Sequence, residues 1–177
     1  MIINKIYNTF FFCILLFITL GCEKKEADVE MGPIGQLSGE WWVRTYINNE
    51  PSSDYNKLLT FNVASGMSDS MWLSGAIYYP YSNSAYFDKI LLKSKANTMG
   101  LTFSNELSLN NNENFEVNFK IDNGKVLLNA TQTPTLLTVD SIYLELQLVD
   151  TTWYGLTSDD VIKLAGYRRT GWAGDDF

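Results

Sequence analysis

The sequence predicts one antiparallel all-β domain over residues 37–177, and three features support this prediction. Apolar and polar residues alternate with a period of two in several runs, which is typical of strands with one buried face. Turn-forming residues separate the runs, and Pro51, Pro80 and Pro134 all fall outside the strongest of them. Beyond the N-terminal apolar segment no stretch has helical periodicity. Many strands of this kind favour a barrel or a sandwich, and alternation alone does not distinguish the two.

Nine segments have the composition and alternation of strands. Phe115–Ile121 and Ser141–Leu148 alternate most regularly, with all their apolar side chains on one face. Asn123-Gly124 follows the first of these runs, and Asn-Gly is typical of a type I′ hairpin turn, so we expect a hairpin there. The predicted strands are Glu40–Ile47, Lys57–Val63, Ser70–Ile77, Tyr86–Lys95, Met99–Ser104, Phe115–Ile121, Lys125–Leu128, Ser141–Leu148 and Val161–Arg169.

The N-terminal segment has the pattern of a signal peptide. Lys5 precedes an apolar run from Phe10 to Leu20, and these eleven residues are fewer than the roughly 20 that a membrane-spanning helix needs. The run ends in Gly21-Cys22, which resembles the lipobox of bacterial lipoproteins, whose cysteine becomes the acylated first residue. We therefore expect a lipoprotein signal peptide at 1–21, lipidation of Cys22 and a charged, flexible tether at 22–36. An ordinary signal peptide cut nearby, or an uncleaved anchor, is the alternative.

Composition argues against several classes of function. The net charge of −7 offers little to a nucleic-acid backbone, so we expect no nucleic-acid partner. The sequence contains no histidine, which removes Ser-His-Asp and Cys-His catalysis and His-ligated zinc. With Cys13 lost in the signal peptide and Cys22 acylated, the domain has no thiol for a disulfide or a metal. We expect no metal, no cofactor and no catalytic residue.

Carboxylates are the remaining candidates for catalysis. Paired carboxylates can hydrolyse glycosides without histidine. The adjacent acids Asp159-Asp160 and Asp175-Asp176 are expected to be solvated loop residues, the second pair in a frayed terminus. The asparagine-rich stretch from Asn110 to Asn114 reads as a polar hairpin connection. A carboxylate-dependent hydrolase is therefore the third-ranked hypothesis.

Two motifs at opposite ends of the domain resemble those of lipocalins. Gly39-Glu40-Trp41 is similar to the Gly-x-Trp signature of that superfamily, in which the tryptophan closes the base of the barrel. Arg168 has the inward parity of Ile162 and Leu164 on the last predicted strand. The resemblance implies that Gly39, Trp41 and Arg168 close the barrel together, with the guanidinium packed over the indole.

The wider pattern resembles a bacterial lipoprotein family named for lipid binding and putative hydrolase activity. The resemblance spans residues 37–177 and implies a lipocalin-like (calycin-type) up-and-down barrel of about eight to nine strands with a lipid ligand. No catalytic motif can be placed on these positions. The segments that carry the resemblance are Leu37–Val43, Asn123–Val126, Val139–Tyr143 and Gly166–Trp172.

Two sets of residues are candidates for binding. Seven apolar side chains are predicted by parity to face the barrel interior, where they could contact a hydrophobic ligand: Val43, Phe61, Val117, Phe119, Leu128, Leu144 and Leu146. Aromatic residues near Pro80 could form an exposed surface for a glycan or a protein partner: Trp72, Tyr78, Tyr79 and Tyr81.

The leading hypothesis is a non-catalytic, membrane-anchored barrel that binds a small hydrophobic or lipid ligand. Its expected location is the cell envelope of a Gram-negative bacterium, at the outer membrane. A cell-surface module that binds a glycan or an envelope protein through the aromatic residues is the alternative.

Overall fold

A computed structural model of the protein describes residues 32–78, 87–111, 117–149, 152 and 155–177, except for the side chains of Phe87 and Asp88. All of these residues belong to one compact unit, Met31–Phe177. The predicted signal peptide, Cys22, Tyr79 and Tyr81 lie outside the described residues. No helix within the described ranges is long and apolar enough to cross a membrane.

The described chain forms one antiparallel sheet in which each strand pairs with its neighbours in sequence, except around a short edge strand. This strand, β2, pairs only with the end of β1, and β1 pairs with both β3 and β9. The other eight strands therefore close into an up-and-down barrel, as predicted. The strands are β1 (Gly39–Ile47), β2 (Glu50–Pro51), β3 (Asn56–Asn62), β4 (Ser70–Tyr78), β5 (Phe87–Asn97), β6 (Thr102–Leu109), β7 (Asn118–Gln132), β8 (Thr138–Leu148) and β9 (Ile162–Arg168).

Pairing of the first and last strands closes the barrel. Seven consecutive residue pairs join β1 to β9, from Trp41 opposite Arg168 to Ile47 opposite Ile162. Closure gives β1 and β9 a strand partner on both sides over most of their length, and at Thr45 the backbone N–H and carbonyl bond instead to Ser53 and Ser52.

The alternating strand directions give the barrel two distinct ends. One end, called the base, is where β1 begins, and the opposite end is called the mouth. The base carries residues 32–38, the connections 63–69, 98–101 and 133–137, and the C-terminal segment 169–177. At the mouth, β1, β4, β6 and β8 end, β3, β5, β7 and β9 begin, and the connection 48–55 lies there.

Apolar side chains fill the inside of the barrel and continue below it. The N-terminal segment folds as a short 3-10 turn, Gly35–Leu37, under the base. Ile34 and Leu37 are fully buried and belong to the same apolar cluster as Trp41. The folded domain therefore begins before the predicted boundary at Leu37, because the last residues of the predicted tether supply part of the core.

The predicted hairpin at Asn123-Gly124 is wrong, because both residues lie inside the continuous strand β7. The register between β7 and β8 shifts between Asp122 and Lys125, which marks a bulge at this point. Asn123 adopts a φ of 52°, a left-handed conformation that asparagine tolerates. A methyl group on Gly124 would lie 2.3 Å from the carbonyl oxygen of Phe103. The Asn-Gly pair thus serves a bulge and a close strand contact instead of a turn.

The hairpin turn that joins β7 to β8 lies further along the chain. The amide of Thr133 donates to the carbonyl of Leu137, and the amide of Leu136 donates back to Thr133. Leu136 takes a φ of 65°, which supplies the left-handed residue of the turn. Its sequence, Thr-Pro-Thr-Leu-Leu, contains neither Gly nor Asn, so the usual turn signal was absent.

Replacing Gly124 by alanine is expected to lower the free energy of unfolding by about 2 kcal/mol or more, because the added methyl group meets backbone atoms of Phe103. Urea denaturation followed by tryptophan fluorescence measures the change. Gly100→Ala is the control, since the nearest atom there belongs to the side chain of Asn97. Equal effects of the two substitutions would show that the close contact at Gly124 does not constrain the barrel.

Candidate functional site

The barrel interior is the main candidate site, and five of the seven residues predicted to line it are buried there. Val43 comes from β1, Val117 directly precedes β7, Phe119 lies on β7, and Leu144 and Leu146 lie on β8. Their side chains belong to a single apolar cluster. An interior with this lining suits an apolar ligand, because a polar ligand would lose hydration there without gaining partners.

Two of the predicted interior residues are on the outside, so their assignment was wrong. Phe61 is 39% exposed, because β3 turns Leu58 and Thr60 inward. Leu128 is 42% exposed and lies where β7 has passed its last pair with β6, at Lys125, and pairs only with β8. Both faces of that extension contact solvent, so parity cannot predict burial there.

A threonine occupies the inward position that parity reasoning gave to an aromatic residue. The indole Nε1 of Trp41 donates to Thr60 Oγ1 at 2.9 Å, and Thr60 Oγ1 donates to the carbonyl of Leu37 at 2.6 Å. Thr60 is almost fully buried and uses its hydroxyl as both donor and acceptor. The sequence carried one signal for this inward position, since Thr60 is β-branched and lies two residues after Leu58. Its polar hydroxyl group nevertheless suggested an outward position.

Arg168 closes the base of the barrel over Trp41. Its Cζ lies 4.2 Å from the indole centroid. Nη1 and Nη2 donate to the carbonyls of Ser38 and Gln36, both at 2.8 Å, and Nε donates to Asp140 Oδ2 at 3.0 Å. A methyl group on Gly39 would lie 2.3 Å from Nη1, so glycine gives the guanidinium its space. The base is thereby blocked by an indole, a guanidinium and the N-terminal segment.

The C-terminal segment is fastened to the barrel by its acids, contrary to the prediction of a frayed terminus. Asp175 is fully buried and accepts hydrogen bonds from the amide and hydroxyl of Thr135 and from Thr170. Asp176 accepts from Trp42 Nε1 at 3.1 Å and from the Arg169 guanidinium. The resulting contacts connect the C-terminal segment to the β7–β8 hairpin and to β1.

The seam between β5 and β6 is held largely by side chains. Only three residue pairs, from Lys95 opposite Ser104 to Asn97 opposite Thr102, join the two strands by register. Towards the mouth the backbone of Lys93 bonds to the Ser108 hydroxyl through both its N–H, at 3.0 Å, and its carbonyl, at 2.8 Å.

One step nearer the mouth along the same seam, the amide of Leu91 donates to Asn110 Oδ1 at 2.9 Å. Ser108 and Asn110 are both buried. Side-chain bridges therefore replace part of the backbone ladder along the seam.

A comparison with protein families supplies the context for this geometry. The family model described as "Lipid-binding putative hydrolase" matches residues 26–173, which is 148 of the 177 residues. The chain belongs to this family. No curated protein matches the chain. A closed barrel with an apolar interior agrees with the lipid-binding half of the family description.

The outer wall of the barrel carries Trp72 and Tyr78, the two residues of the predicted aromatic surface that the structure describes. Trp72 lies on β4 between Phe61 and Lys93 of the adjacent strands, and Tyr78 ends β4. Tyr78 and Leu59 border a shallow depression of about 360 Å³ on the same wall. Trp72 is thus part of a strand and not of the loop around Pro80.

Hydrolysis, the other half of the family description, needs acid–base groups that can exchange protons near neutral pH. The Tyr143 hydroxyl donates to Glu145 Oε1 at 2.5 Å. Burial, assisted by this bond, raises the pKa of Tyr143 to about 12, and the same bond lowers the pKa of Glu145. The pair therefore stays protonated at the phenol and ionised at the carboxylate. No cluster of three or more potential metal ligands occurs among the described residues.

Replacing Arg168 by alanine is expected to reduce the free energy of unfolding by about 2–4 kcal/mol, because it unpairs two carbonyls and Asp140 at the base. The Arg168→Lys variant should retain only part of this free energy of unfolding, because an ammonium group cannot make the several coplanar hydrogen bonds of a guanidinium. Urea denaturation of the three proteins measures both effects. Full restoration by lysine would show that charge alone is sufficient.

The acid sensitivity of the C-terminal segment is expected to depend on Asp176. The hydrogen bond from Arg169 holds the pKa of Asp176 below its usual value, so its stabilising contribution is present above about pH 4 and is lost as the pH falls through the folded-state pKa. Asp176→Asn should lower the Tm at pH 7, with a gap to wild type that narrows in acid. Calorimetry between pH 3 and 7 in roughly unit steps tests this.

The matched control is Asp54→Asn, whose fully exposed carboxylate lies 4.0 Å from Arg44. It should leave the Tm nearly unchanged at every pH. A gap for Asp176→Asn that stays constant with pH would contradict an electrostatic role for this carboxylate.

Proposed function

We propose that the protein is a lipid-anchored envelope protein whose barrel binds a small hydrophobic or lipid ligand without transforming it. One observation carries the proposal: the closed barrel has a continuous apolar interior, in a chain of a lipid-binding family. The sequence supports the anchor through the lipobox-like ending at Cys22. In this proposal Cys22 is acylated and the protein resides at the outer membrane of a Gram-negative bacterium.

The ligand would lie between the closed base and the mouth. Trp41 and Arg168 block the base, so entry is through the mouth or through the seam between β5 and β6. An eight-stranded barrel has room for its side chains or for one small ligand. Because the interior side chains pack against one another, a ligand would have to displace some of them, which favours an acyl chain over a bulky ring system.

The side-chain bridges at Ser108 and Asn110 support this displacement. Opening this part of the seam breaks the bridges at Ser108 and Asn110 and the backbone bond from the Asn111 amide to the Leu91 carbonyl, and the freed groups would then bond to water. Strands β5 and β6 can therefore separate locally while the remaining seams stay intact.

A surface-binding role is the second candidate, favoured by the arrangement of the outer wall. Phe61 and Trp72 are directly opposite each other on β3 and β4, and Phe61 is partly exposed. Aromatic rings at this spacing can stack on a sugar or a peptide. Binding through this wall would be lost on Trp72→Ala while the fold persists.

Native mass spectrometry of residues 31–177, after incubation with a bacterial lipid extract, is expected to show one bound lipid per barrel. Val117→Trp should lower the occupancy about tenfold or more, because Val117 is a buried interior residue at the mouth end of β7. A wild-type barrel that stays bare would contradict the lipid ligand.

Leu107→Trp is the control for this substitution. Leu107 is an exposed residue of β6. The added indole there should leave lipid occupancy unchanged. If Val117→Trp, with a melting curve like that of the wild type, kept its lipid while Trp72→Ala lost it, the ligand would lie on the outer wall and not in the interior.

A further inference from the structure

The base of the barrel carries exposed apolar side chains at all three of its hairpin connections. Met67 lies in the β3–β4 connection, Met99 in the β5–β6 connection, and Leu136 and Leu137 in the β7–β8 turn. A fifth apolar residue, Trp172, lies in the C-terminal segment at the same end. Their exposed fractions are 44% for Met67, 96% for Met99, 74% for Leu136, 48% for Leu137 and 65% for Trp172.

Among the described residues this concentration lies at the base, whereas Leu109, which ends β6, is an exposed apolar residue at the mouth. Exposed apolar residues that gather on one surface mark a contact with a partner or a membrane, whereas scattered ones need no explanation. The strands alternate in direction, so the tips of the three hairpins lie at the same end, while the C-terminal segment passes Trp172 there and then packs back on β1 through Asp176 and Phe177. Apart from Asp69, the polar side chains of the tips are small, such as those of Ser65 and Thr98.

The base and the mouth also differ in charge. The base connections 63–69, 98–101 and 133–137 contain one charged residue, Asp69. The described residues of the mouth connections include four acids and no lysine or arginine: Glu50, Asp54, Asp159 and Asp160. An acidic surface is repelled by anionic headgroups, whereas the base connections are nearly uncharged. The charged side chains of the C-terminal segment at the same end, Arg169, Asp175 and Asp176, are held in hydrogen bonds.

The chain leads towards the proposed lipid anchor from the same end. Ile34 N donates to Asn62 Oδ1 at 3.1 Å, which fixes the start of the described chain beside the last residue of β3 at the base. The ten residues from Cys22 to Met31 can span at most about 33–36 Å. An anchor at Cys22 would keep the start of the described chain, which lies at the base, within this distance of the membrane.

We propose that the base docks on a lipid bilayer, with Met67, Met99, Leu136, Leu137 and Trp172 in its interfacial region. The orientation of the barrel in this proposal rests on the lipid anchor of the proposed function. The apolar side chains at the hairpin tips contact the bilayer independently of that anchor. Trp172 suits the headgroup level, because an indole has an apolar body and one N–H donor. The acidic mouth then faces away from the membrane.

The first test uses the full chain reconstituted in vesicles whose phospholipids carry bromine on the acyl chains, which quenches nearby tryptophan fluorescence. Quenching should occur in the wild type and fall substantially in Trp172→Phe. Trp72→Phe is the matched control, since Trp72 lies on the side wall, and it should leave the quenched component unchanged. Equal quenching in Trp172→Phe and wild type would overturn the docking of the base.

The second test measures the tips without the anchor. Residues 31–177 contain the whole closed barrel and its core, and they are sedimented with vesicles of phosphatidylethanolamine and phosphatidylglycerol. Replacing Met99 and Trp172 by serine and Leu136 by asparagine, which tolerates the positive φ, should lower the partition coefficient about tenfold or more. The control is a Leu59→Ser, Leu107→Ser, Leu109→Ser variant, which removes three exposed leucines from the side wall.

The outcomes separate this proposal from the proposed ligand. Loss of vesicle binding in the tip variant, with lipid still bound in native mass spectrometry, supports the docking base independently of the interior. Equal losses in the two variants, or a wild-type barrel that ignores vesicles, would overturn it. A wild-type barrel that dimerises through these tips would also overturn it, since the apolar side chains would then cover one another.

Discussion

The contact between Arg168 and Trp41 is the constraint on which the closed barrel depends. One guanidinium stacks on the indole and bonds to two carbonyls of the N-terminal segment and to Asp140 of β8. It thereby joins the first and last strands to the segment that precedes them. A planar group with donors along three edges can make these contacts together, and few other side chains can.

Much of the fold was predictable, because the signals that define a barrel are local. Alternation located most strands, and the Gly39-Glu40-Trp41 motif with Arg168 indicated how the first and last strands meet. The error at Asn123-Gly124 has a physical source: a left-handed asparagine followed by glycine suits a bulge as well as a turn. Distinguishing the two needs the approach of Phe103 to Gly124, from which it is 21 residues away in sequence.

The candidate site was less predictable than the fold. Val43, Phe119 and Leu144 follow the parity of their strands, and the prediction that they face inward is confirmed. Phe61 does not, because Thr60, whose hydroxyl is hydrogen-bonded inside the barrel, takes the inward position on β3. Leu128 does not, because β7 extends beyond its last pair with β6. The roles of Ser108 and Asn110 carry no sequence signal at all, since a serine or asparagine that bridges two strands looks like any other polar residue of a strand.

The side-chain bridges between β5 and β6 also affect the circumference of the barrel. A fully laddered cylinder has a fixed circumference, set by the number of its strands and their stagger. In this barrel one line of the wall is joined over part of its length by a hydroxyl and an amide, whose flexible reach exceeds that of a peptide group. Along this line the circumference of the barrel is therefore set by side-chain bridges as well as by the backbone ladder.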